Sequence, residues 1–95
     1  MHARVVRFTD VTPERIAEIT QRVQQSDGPP EGVESHHFKL LADDSNGTAI
    51  FMAFFDDEAK MQAANEIFEA MDAGDTPGTR ASVDLCEVKI ERTAE

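Results

Sequence analysis

Ninety-five residues are enough for one domain, spanning 1–95, and a chain this short buries only a little more than about 60% of its unfolded surface. Hydrophobic residues make up 40% of it, so a partner that covers further apolar area is expected, most simply a second copy of the chain. Asp and Glu number 19 against 9 Lys and Arg, and the formal charge of -10 repels nucleic-acid phosphates and anionic lipid alike, so neither is expected as a partner.

Residues Ala3 to Thr9 set Val5, Val6 and Phe8 in a β-branched and aromatic run that predicts a first strand. The positive residues, Arg4 and Arg7 among them, are scattered along the chain and form no run that tracks a phosphate backbone. Thr12-Pro13-Glu14 predicts a helix start: Thr12 caps, Pro13 suits the first helical position and Glu14 complements the dipole. Ile16, Ile19 and Val23 then recur at helical spacing to about Ser26, so one face is built for burial. Asp27-Gly28-Pro29-Pro30-Glu31-Gly32 breaks the helix into a loop.

Val33 to Ala42 predicts a second strand, and Asp44-Ser45-Asn46-Gly47 a hairpin turn. Thr48 to Phe55 is the most apolar run of the chain and predicts a strand buried on both faces, hence central in its sheet. Asp56-Asp57-Glu58 opens a second helix with acid. Its expected stripe is Ala59, Ala63, Ile67, Ala70 and Met71, with Ala64 and Phe68 beside it, as far as Gly74. After the loop Asp75-Thr76-Pro77-Gly78, the alternation of Ala81 to Glu91 predicts a last strand, and Thr93-Ala94-Glu95 a frayed tail.

The resulting β-α-β-β-α-β order predicts an α+β, ferredoxin-like fold, with a four-stranded antiparallel sheet and two helices on one face. The uncovered sheet face is expected to pair with that of a second copy. Cys86 is the only cysteine, so no intrachain disulfide forms. No window approaches the roughly 18 apolar residues of a membrane span, and the N-terminal residues lack a long apolar core, so the cytoplasm is the expected compartment.

Several residues carry layout as well as chemistry. Gly32-Val33 leads a strand; Leu40-Leu41-Ala42-Asp43 and the Gly47 hairpin follow; Phe51-Met52-Ala53-Phe54-Phe55 then runs into Asp56-Asp57-Glu58-Ala59. This pattern, with the closing segment Gly78 to Val88, resembles the antibiotic-biosynthesis-monooxygenase-like (ABM) superfamily of dimeric α+β barrels. The resemblance covers almost the whole chain and implies a homodimer with a ligand cleft between sheet and helices. It implies a small-molecule-binding protein, with cofactor-independent monooxygenation of an aromatic or other apolar organic substrate as its enzymatic form. The Asn, Trp and His or Tyr constellation of the better-defined oxygenases is not reproduced: the chain has no Trp or Tyr, no Asn in the first strand and no His in either helix.

His36, His37 and Asn65 are the candidate catalytic residues. Adjacent strand residues point to opposite faces, so the two histidines are not expected to chelate one metal, but one of them faces the helices as a general base or ligand contact. Asn65, at the edge of the second helix's stripe, offers an amide to polarise a substrate oxygen. Arg80 and Arg7 are the candidate anion grips and Phe51, Phe55 and Phe68 the candidate apolar lining, in a site without metal or cofactor. Each also has a plain reading: a water-satisfied histidine, a solvent-facing amide, arginines paired with abundant acids, and ordinary core aromatics. A non-catalytic dimeric module with a packed interior is the alternative function.

Overall fold

The computed structural model describes residues 1–26, 28, 32–70 and 77–92. Met71, Gly74, the tail at 93–95, most of the expected loop at 27–32 and the first half of that at 75–78 lie outside them. The elements follow in the expected order: β1 His2–Thr9, α1 Pro13–Gln25, β2 His37–Asp43, β3 Thr48–Phe55, α2 Glu58–Glu69 and β4 Thr79–Glu87. The four strands form one antiparallel sheet in the order β2-β3-β1-β4, an α+β arrangement compatible with the ferredoxin-like fold. β3 is an interior strand, as its apolar sequence predicts.

Local chemistry sets most boundaries. The Thr12 hydroxyl accepts the Arg15 N–H at 3.1 Å and the Asp57 carboxylate accepts the Lys60 N–H at 2.8 Å, capping α1 and α2. The β2–β3 turn is closed by Asp43, whose carboxylate accepts both the backbone and side-chain N–H of Asn46. Gly47, at φ 64°, supplies the left-handed residue. Asp43 thus serves a turn and Asp57 a cap.

The boundaries that differ most from expectation are those of β2 and β4. β2 begins at His37 rather than Val33, because Val33 is drawn into the core beside Ala53, Phe55, Met61 and Ala64. β4 stops at Glu87 rather than running to Glu91. It is an edge strand paired among the described residues with β1 alone, and the Val88 N–H reaches the Met1 carbonyl oxygen, just before β1 begins. The inward face of α2 also shifts: Met61 and Ala64 are buried while Ala59, Ala63 and Ala70 are exposed. A helix started by the Asp57 cap turns residues 61, 64 and 68 toward the sheet.

Alternation assigns the two faces of the sheet. Arg4, Val6 and Phe8 of β1, Ala49, Phe51, Ala53 and Phe55 of β3 and Phe38 and Leu40 of β2 share the helix side. A first cluster of buried residues joins Val33, Ala53, Phe55, Met61 and Ala64 under α2; a second joins Val6, Phe8, Val11 and Ala49, and Phe51 packs on both. The opposite face carries Ala3, buried, then Val5, Ile50, Met52 and Phe54, all half-buried, and Leu41, 48% exposed, with no helix over it among the described residues. Cys86 is exposed there. No described helix is long and apolar enough to cross a membrane.

Candidate functional site

α2 packs on β1 and β3, whereas α1 meets the core through Ile16 and otherwise stands off the sheet. None of its residues is fully buried; Ile16 and Ile19 are half-buried and Val23 is exposed. Between α1 and the sheet lies a cavity of about 1100 Å³, slightly above the range of roughly 300–1,000 Å³ typical of small-molecule sites. Its sheet wall is apolar, formed by Val6, Phe8, Leu40, Phe51 and Ala53, with Ile19 and Val23 of α1 opposite.

One end of this cavity is charged. Arg4, in the inward phase of β1, is 4% exposed. Its guanidinium lies 4.8 Å from the centre of the Phe68 ring, donates from Nε to Asn65 Oδ1 at 2.9 Å and from Nη2 to Glu69 Oε1 at 3.3 Å. Asn65 and Glu69 stand one helical turn apart on α2, which puts both acceptors over the same strand position. The same Glu69 Oε1 accepts Arg80 Nη1 at 2.7 Å. Arg4, Glu69 and Arg80 all line the cavity; Asn65 stands behind Arg4 and fixes its orientation.

Arg80 reaches this end through an irregularity. Arg7 pairs with Ser82 but Phe8 pairs with Arg80, so Ala81 is an extra residue in β4. Without this bulge the alternation through Ser82, Asp84 and Cys86 would send Arg80 to the opposite face. Gly78 permits the close entry of β4, since a Cβ there would lie 2.3 Å from the Thr9 carbonyl oxygen.

Charge follows geometry. Burial lowers the Arg4 pKa from the usual arginine value, and the adjacent Glu69 carboxylate opposes that shift. Glu69 is held below the usual glutamate range, first by the hydrogen bond from Arg80 and then by the charges of both arginines, against some desolvation. Two guanidinium groups therefore share one carboxylate oxygen.

The other expected site residues separate. Phe51 and Phe68 line the cavity, whereas Phe55 is fully buried in the core beneath α2. Arg7 is exposed on the face away from the helices, in phase with Val5. His36 and His37 do not point to opposite faces: His36 precedes β2 in a bend, where strand alternation does not apply, and the two Nδ1 atoms lie 2.6 Å apart. His37 stacks on Phe54 with ring centres 4.3 Å apart, and neither histidine lines the cavity. Among the described residues no group of three or more His, Cys, Asp or Glu side chains is placed to hold a metal ion.

No family model matches the chain, and no curated protein is significantly similar to it. Site residues therefore rest on geometry. Sequence reasoning missed Arg4 and Glu69, though Arg4 alternates with Val6 and Phe8 on β1, and a cation in the inward phase of an apolar strand is a legible signal.

Proposed function

We propose that this chain is a small-molecule-binding protein of the ABM-like, dimeric α+β barrel kind, its ligand lying between α1 and the sheet. The observation that carries this reading is the cavity itself: a largely apolar chamber whose lining includes the linked charges of Arg4, Glu69 and Arg80. A packed-interior module would bring Ile19 and Val23 of α1 onto the sheet as Ile16 is, and here these two line the cavity instead. The reading includes cofactor-independent monooxygenation of an aromatic substrate, which rests on the resemblance in layout. A panel of polycyclic aromatic phenols tested by thermal shift and by oxygen uptake separates its two parts. A raised Tm with no uptake retains binding and removes the oxygenase. No thermal shift from any member removes the oxygenase, and no shift from an aromatic carboxylate such as 2-naphthoate either removes binding as well.

The homodimer belongs to the same reading. Its support is the far face of the sheet, where half-buried Ile50, Met52 and Phe54 of β3 meet half-buried Val5 and exposed Leu41. Sedimentation velocity on the full chain is expected to show a dimer that Met52→Lys dissociates. A monomeric parent at micromolar concentration would refute the pairing.

A further inference from the structure

We infer that the ligand of this cavity is an apolar molecule bearing a single carboxylate, held by Arg4 and Arg80 at the charged end; the inference rests on the cavity reading above. Charge balance carries it. Arg4, Arg80 and Glu69 together leave one positive charge at the end of a chamber whose sheet wall is apolar. Arg22, which also lines the cavity, is already paired with Glu18 at 3.1 Å.

A neutral apolar ligand would expel water from this end and strand that charge in low dielectric, which is unfavourable. A single carboxylate makes two guanidiniums face two carboxylates. The donors to receive it are present: among the described residues, Arg4 uses only Nε and Nη2 and Arg80 only Nη1, so N–H groups of both remain for a planar acceptor. A dianion would over-neutralise the pair and repel Glu69. Arg4 is held rigid by Asn65 and Phe68, so little ordering is required of it on binding.

The test uses the full chain, methyl-labelled for NMR at pH 7.5, titrated with 2-naphthoate and with 2-naphthylmethanol, which share an apolar body and differ in charge. Both are expected to shift the methyl groups of Val6, Leu40 and Ala53, with naphthoate bound about tenfold more tightly. Arg80→Gln, at a half-exposed position, should abolish the preference. Glu69→Gln should widen it. Equal affinities in the parent, unchanged in Arg80→Gln or Glu69→Gln, would overturn the carboxylate while leaving the cavity intact. Shifts confined to Val5, Ile50 and Met52 on the opposite face, or no shifts at all, would remove the cavity reading and this inference with it. Either variant suffices should the other fail to fold.

Discussion

Arg4→Met asks whether the buried cation serves the fold or a ligand. Methionine keeps most of the stem volume over Phe68 and removes the guanidinium, with its hydrogen bonds of 2.9 Å to Asn65 and 3.3 Å to Glu69. Hydrogen bonds to charged groups contribute roughly 1.5–3 kcal/mol each, but removing the guanidinium also removes the several kcal/mol that desolvating it costs. The former partners are not stranded, because Asn65 is only half-buried and Glu69 keeps Arg80 at 2.7 Å. These effects nearly cancel, so a net loss of about 1 kcal/mol is expected, equivalent to about 4–8 °C in Tm for a domain of this size. Urea unfolding at pH 7 measures it. A loss above about 3 kcal/mol would show that Arg4 is a structural keystone and would refute the argument that its charge is kept for something in the cavity.

Three further outcomes follow from the same geometry. Thr12→Ala and Asp57→Ala each remove one cap bond of about 1 kcal/mol, with different readouts. In packed α2 the loss should lower global stability, whereas in α1 it should appear as faster amide exchange at residues 15–18 with the urea midpoint nearly unchanged. Gly78→Ala forces a Cβ against the Thr9 carbonyl, so a loss of about 1–3 kcal/mol and methyl shifts at neighbouring Val11 are expected in unfolding and NMR. Because the Glu69 pKa is depressed in the folded state, its stabilising contribution is present above the ordinary glutamate value and is lost as pH falls through the folded one. Urea midpoints taken from pH 6 to pH 3 should therefore fall less in Glu69→Gln than in the parent.

Order and strand class were legible because each element announces itself locally: Thr12-Pro13, Asp57 and Gly47 are cap and turn chemistry that needs no tertiary partner. The boundaries that moved depend on distant residues. Val33 leaves the strand for a core built by α2, and β4 ends opposite the start of β1. The site was legible only in part for the same reason. Phe51, Phe68 and Arg80 do reach the cavity, but Arg80 does so through a bulge that a clean alternation conceals, and His36 escapes alternation by lying before the strand. The Arg4–Glu69 pair joins residues 65 positions apart, beyond the reach of any local pattern.

β3 ties the two faces together. Its sequence Thr48 to Phe55 places Ala49, Phe51, Ala53 and Phe55 toward the helices and Ile50, Met52 and Phe54 away from them, so it demands apolar cover on both sides. On the helix side α2 covers Ala53 and Phe55, while Phe51 faces the cavity from between the two core clusters. On the far side no described helix covers it. The small alanine at 53 leaves space that a larger residue would fill, and the stand-off of α1 beyond Ile16 enlarges it. Replacing Ala53 by a larger side chain would consume the cavity, whereas Met52 bears only on the opposite face. A ligand and a second copy of the chain thus satisfy different side chains of one strand, which makes the two parts of the proposed function separable by single substitutions.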